Sequence, residues 1–267
     1  MRSGQRAFNG GMALLFAASA VTTIESCRSM SSMDGMTMPG DWTMSMAWMR
    51  LPGQSWPGAA ASFLGMWIVM MIAMMLPSVA PVLSRHRQAL RGCGARQPGT
   101  LTALAGAGYF LVWALIGLAA FPFGVALAGL EMHSPSFARA VPVAAGTVVL
   151  LAGALQFTSW KARQLACCQK PRGSGNALRA TPCCRSRAPA ATAMDSLRFG
   201  LRLGMRCSYC CAGQTAALLV MGVMDLRVMA VVTAATTLER LAPRGWLAAP
   251  AVGIIGVIAG LLLVLRA

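Results

Sequence analysis

Cys207, Cys210 and Cys211 close the pattern G-x-x-x-G-x-x-C-x-x-C-C, which begins at Gly200 and Gly204. On a helix turning by about 100° per residue, the three cysteines fall within an arc of about 100°, so their sulfurs can point into one site. Thiolates select soft ions, Cu(I) or Zn, over hard ones. A single cysteine in an apolar helix is usually a packing residue. This cluster, with Arg202 and Arg206 close by, reads better as a metal or redox site. The two arginines either stabilise thiolates in the same pocket or snorkel toward the membrane surface. The glycines let a neighbouring helix approach closely.

Methionine supplies a second set of soft ligands. Met66, Met70 and Met74 recur at i, i+4 and i+8 in a segment that also carries Trp67, Met71, Met75 and Pro77. Thioethers bind Cu(I) without adding charge to an apolar interior, although the same residues also fill irregular helix packing. Upstream, Met30, Met33, Met36, Met38, Met44, Met46 and Met49 crowd a segment rich in Ser, Gly and Pro, with Asp34 inside M-x-x-M-x-M. Thiols oxidise outside the membrane, whereas Met remains a Cu(I) ligand, so Met outside and Cys inside is a chemically sensible division. Met33, Met36 and Met38 are therefore candidate capture ligands; a flexible loop that merely contains Met is the simpler alternative. Cys168, beside Cys167 and ahead of Pro171, could approach Cys207 if its helix packs on the next one. Cys183 and Cys184 follow in a basic stretch.

His86 and His133 are isolated and read as loop residues. Glu239 ends an apolar segment and has Arg240, Arg244 and Lys161 as possible partners. No Ser-His-Asp order, phosphate-binding glycine loop, H-E-x-x-H or paired catalytic carboxylates occurs, which argues against a conventional hydrolase or an ATP-driven pump and against an enzyme generally. Two rivals to metal handling stay open. A thiol-redox membrane protein would use Cys207, Cys210 and Cys211 and form a reducible disulfide. A structural membrane subunit would bind nothing.

The elements that must position these residues are membrane helices. The chain is 57% hydrophobic and only 11% charged, with mean hydropathy +0.61, outside the range of globular domains. A span needs roughly 20 apolar residues, and the sequence predicts an all-α polytopic bundle of six or seven spans. Residues 1–25 read as an N-terminal anchor or signal peptide, 26–60 as a Met-rich outer loop, and 61–267 as a polytopic domain. That domain includes a cytoplasmic Arg- and Cys-rich loop over 161–198. A helix over about 61–82 is expected to end at Pro77 and Pro81, and a span over 101–130 to bend at Pro122. The spans at 137–160 and 199–221 lead to a turn at 222–225. A segment too short to be an ordinary span then ends at Glu239, and the last span covers 247–265.

Most of the 23 Lys and Arg residues fall on the proposed inner side. Arg28, Arg50, Arg139, Arg227 and Arg266 fall outside, which puts the N-terminus in the cytoplasm. The same distribution accounts for the formal charge of +16 without a nucleic-acid partner, for which no aromatic-basic interleaving exists. Of the cysteines, only Cys27 lies on the outer side.

In these residues the chain resembles the bacterial predicted metal-binding integral membrane proteins, a family defined as a domain of unknown function. The matching pieces are Met66-Trp67-x-x-Met70-x-x-Ala73-Met74-Met75-x-Pro77, then Gln156-x-Thr158-x-x-Lys161 with Cys168-x-x-Pro171. The cysteine pattern of 200–211, Gly222-Val223-Met224 and Glu239 complete the order. Gln164 stands where that family usually has an earlier Cys, and Tyr209 and Ala212 where it has Gly and Trp. The resemblance implies a bacterial inner-membrane protein that binds a metal. The soft ligands make that metal copper(I), ahead of zinc or none, with the bilayer, the ion and a metallochaperone or oxidase-assembly protein as partners.

Overall fold

The computed structural model describes residues 2–31, 36–38, 42–44, 48–50, 53–169, 192–242 and 245–266. Eight helices make up nearly all of them: α1 (Arg2–Ser31), α2 (Trp56–Gly92), α3 (Pro98–His133), α4 (Pro135–Leu155), α5 (Ser159–Gln169), α6 (Ala193–Met221), α7 (Leu226–Leu241) and α8 (Gly245–Arg266). Between α1 and α2, β1 (Met36–Met38) and β2 (Trp42–Met44) pair antiparallel, Met36 opposite Met44. The fold is all-α apart from this hairpin.

The helix boundaries follow local signals. Ser55 caps α2, its hydroxyl accepting from the Gly58 amide. Thr192 and Asp195 form a reciprocal capping box on α6, which satisfies two amides that a helix start leaves without partners. Gly222, at φ 115°, takes a conformation that L side chains rarely adopt and turns the chain from α6 into α7. There the Asp225 carboxylate accepts from the Arg227 and Val228 amides.

Several sequence expectations shift. The helix that Pro77 and Pro81 were expected to end continues to Gly92, carrying Arg85, Arg87 and Arg91 on helix rather than loop. Membrane helices tolerate proline where neighbouring groups re-satisfy the backbone. Ser78 donates its hydroxyl to the Met75 carbonyl at 2.9 Å, and the buried Met71, Met74, Met75 and Val79 hold this stretch in the core. Likewise α3 passes through Pro122 unbroken. His86 is not a loop residue: it is buried in α2, stacked on Phe199 with centroids 4.3 Å apart, and neither ring nitrogen finds a hydrogen-bond partner among the described residues. His133 closes α3, its Nδ1 2.7 Å from the Gly129 carbonyl. The stretch expected to be loop from residue 161 begins as α5, and its last residues belong to α6; 170–191, with Cys183 and Cys184, lie outside the described residues.

Five helices have the length and apolar composition to cross a membrane: α1, α2, α3, α4 and α8. Six or seven were expected. The shortfall has a physical cause, since α6 carries Asp195, Arg198, Arg202 and Arg206 in its first half and α7 has only 16 residues. The outward faces of the long helices are apolar, with Leu115, Leu118, Phe123, Ile255 and Ile258 exposed. Such a surface suits hydrocarbon rather than water.

Glycine sets the closest approaches. A Cβ on Gly200 would strike the Ala105 carbonyl of α3, and one on Gly204 would stand 2.8 Å from the Tyr109 carbonyl. The G-x-x-x-G expectation therefore holds, with α3 as the partner. Trp67 of α2 lies against Gly117 of α3 and donates its indole N–H to the Trp113 carbonyl at 2.9 Å. The first helix docks on α2: Gln5 donates to the Ser84 hydroxyl at 2.8 Å and Arg87 to the Gly4 carbonyl at 2.8 Å. Since Gln5 pairs with Ser84 while Cys27 lies near Met66 and Met70, α1 and α2 run antiparallel.

Candidate metal centre

Cys207 and Cys211 stand one turn apart on α6, and both are buried in the main core with Met70, Met71, Met74 and Met75 of α2. One guanidinium joins them. Arg240 Nη2, from α7, donates to Cys207 Sγ at 3.0 Å and to Cys211 Sγ at 3.2 Å, and also to the Cys207 carbonyl at 3.3 Å. Its other terminal nitrogen reaches the Ser78 hydroxyl of α2 at 3.4 Å. The Tyr109 hydroxyl of α3 lies 2.8 Å from Cys207 Sγ. Four helices thus converge on two thiols.

The sequence reading looked for the cation on α6 itself. Arg202 and Arg206 are instead exposed, and the charge beside the sulfurs comes from Arg240, which was expected at the inner end of the short segment and as a partner for Glu239. At about 100° per residue Arg206 lies about 100° from Cys207 and about 140° from Cys211, and its side chain takes the exposed face. An Arg directly after Glu239, at the end of an otherwise apolar segment, was the available signal.

Cys210 lies on the flank. Its side chain is buried with Leu165 of α5 and Ala249 of α8, its carbonyl accepts from Lys161 Nζ at 2.7 Å, and its thiol is in hydrogen-bonding contact with Cys211. Cys168 belongs to α5, which packs along α6; its side chain is outside the described residues. Met70 and Met74 are buried and Met66 is partly buried, on one stripe of α2 that continues at the same spacing to Ser78. Met36 and Met38 form β1, with side chains outside the described residues, as is Met33 altogether. Among the described residues no group of three or more His, Cys, Asp or Glu side chains has the arrangement of a metal site.

A second buried polar network borders the thiols. Lys161 Nζ is 2.8 Å from Glu239 Oε2, both nearly inaccessible. Gln214 donates to Glu239 Oε1 at 2.9 Å and accepts from the Thr236 hydroxyl at 3.1 Å. Of the three partners the sequence allowed Glu239, the structure selects Lys161. An unpaired buried charge costs several kcal/mol; here the carboxylate and ammonium cancel, which leaves Arg240 as the cation facing the thiols.

Comparison with known proteins bears on the family as a whole. No curated protein and no solved structure matches the chain. A family model, PpoB2, described as a copper chaperone, matches residues 64–263, the stretch from α2 into α8 that holds Met66, Met70, Met74, the three α6 cysteines, Lys161, Glu239 and Arg240. The match covers most of the 267 residues, and the chain belongs to the PpoB2 copper chaperone family.

Proposed function

We propose that this protein is a multi-pass protein of the bacterial inner membrane, with its N-terminus in the cytoplasm, that binds Cu(I) and carries it through the bundle for delivery. In this reading α6 and α7 enter the bilayer with the five apolar helices, giving seven spans, and α1 is an anchor that stays with the bundle.

The observation that carries the proposal is the single guanidinium shared by Cys207 and Cys211. Cu(I) bound by two thiolates bears a net charge of −1, and Arg240 contributes +1. With Lys161 and Glu239 already cancelling, the loaded interior is neutral, the condition a low-dielectric site demands. Each loading breaks two S–H bonds, forms two S–Cu bonds and releases two protons, so affinity rises with pH. Cys210, in contact with Cys211, and Cys168 on α5 are proposed as the ligands on the delivery side, where a metallochaperone or oxidase-assembly protein would receive the ion. Met66, Met70 and Met74 lead toward the thiols from the outer side: the stripe reaches Ser78, which accepts from Arg240. Met33, Met36 and Met38 remain the proposed capture ligands outside.

The test is the copper content of the full-length, detergent-solubilised protein under reducing, Cu(I)-buffered conditions, beside Cys207→Ser/Cys211→Ser. Near-stoichiometric copper that falls in the variant is expected. Equal copper in both, or none in either, overturns the site. A reducible disulfide in place of metal would favour the thiol-redox alternative.

A further inference from the structure

Cys27 forms no part of the centre described above, and it lies outside the residues the copper chaperone family matches. From sequence it is the one cysteine expected on the outer side. In the structure it is about 1% exposed, near the end of α1, with two thioethers upon it. Cys27 Sγ is 3.9 Å from Met224 Sδ and 3.9 Å from Met229 Sδ, residues that flank the start of α7. Beside them is a cavity of about 230 Å³ lined by Cys27, Met66, Met70 and Met224 together with Thr23 and Ser26.

From this geometry we infer a second soft-metal site, formed by Cys27 with Met224, Met229, Met66 and Met70, that takes Cu(I) at the outer end of the bundle. The inference rests on the copper reading above and adds where the ion enters. Three sulfurs held about 2.3 Å from one ion at trigonal angles stand about 4 Å apart, and both separations from Cys27 have that value. Ligation here breaks the Cys27 S–H bond, forms S–Cu and sends the proton to water; the thioethers lose nothing. One thiolate and one Cu(I) are neutral together; among the described residues no Lys, Arg, Asp or Glu lines the cavity, and the nearest charge acting on Cys27 is the Asp225 carboxylate. One thiol with thioethers around it is a soft donor set, which favours Cu(I) over a hard divalent ion. The inner centre solves the same problem with a second thiolate and Arg240.

The two sites share a helix. Met66 and Met70 border the cavity, Met74 follows one turn on, and Ser78 one turn further touches Arg240. At 1.5 Å per residue that stripe covers roughly 18 Å of bilayer depth.

The experiment uses the full-length protein in detergent, with Cu(I) titrated against a chromogenic chelator and the Cys207→Ser/Cys211→Ser variant as background. That background is expected to keep one tight Cu(I) equivalent. Adding Cys27→Ala, or separately the nearly isosteric Met224→Leu/Met229→Leu, should weaken it at least about tenfold, and Zn(II) should not displace it. Unchanged affinity in both, or no copper bound by the background, overturns the inference. The inner centre is read independently, with Cys27→Ala alone: copper that is retained there and lost on Cys207→Ser/Cys211→Ser keeps the functional reading even if the outer site fails.

Discussion

Arg240 is the residue on which the inner centre turns, because it is the cation in contact with both sulfurs. Replacing it with Gln should weaken Cu(I) binding by about 10–100-fold, measured by chelator competition in a Cys27→Ala background so that the inner site is read by itself. Arg240→Lys restores the charge but not the planar fork that spans two thiols, a carbonyl and a hydroxyl. Recovery by Lys should therefore be partial, and full recovery would show that net charge alone matters. The placement of the thiols was partly legible: Cys207, Cys210 and Cys211 were picked out by spacing, and all three are buried, Cys207 and Cys211 in the main core and Cys210 on its flank. Their electrostatic partner was not, because proximity in sequence favoured Arg206 whereas helix geometry turns that side chain outward. Lys161 was already among the partners considered for Glu239; sequence alone could not choose it over Arg240 and Arg244, because that choice depends on how α5 packs against α7.

At the level of elements, α3 and α6 meet where Gly108, Gly200 and Gly204 bring their backbones together. Tyr109 holds Cys207 from that seam, so packing and site geometry are coupled. Gly204→Val should force the helices apart and cost about 1–3 kcal/mol, the usual penalty of overpacking. A lower thermal midpoint in detergent together with weaker copper retention is the expected result. An unchanged midpoint would mean that the seam is looser than its distances indicate. Sequence periodicity located the long helices well, because apolar length alone defines them. It misjudged their ends at Pro77 and Pro81, where packing of Met71, Met74 and Met75 outweighs a missing amide, and it could not see the α1–α2 docking through Gln5 and Arg87.

For the whole molecule, the proposed topology places the α2–α3 turn in the cytoplasm and the cavity beside Cys27 near the outer surface. Cys93, exposed at the end of α2, reports the orientation. In a variant keeping Cys93 as its sole cysteine, a membrane-impermeant maleimide should label whole spheroplasts only after permeabilisation; labelling of intact ones would invert the model. The charge asymmetry on which that proposed orientation rests is readable from sequence; the number of spans is harder to count one helix at a time, since α6 is charged in its first half and α7 has only 16 residues. The same features bear on how the protein is made. A charged residue at the middle of a lone helix costs about 2.5–3.5 kcal/mol to insert, and Lys161 meets Glu239 only after all of α6 and nearly all of α7 have been synthesised. On the seven-span proposal, Lys161 gains its partner only once that carboxylate has emerged from the ribosome, so α6 and α7 would commit to the bilayer late and together, with α5 closing on them afterwards.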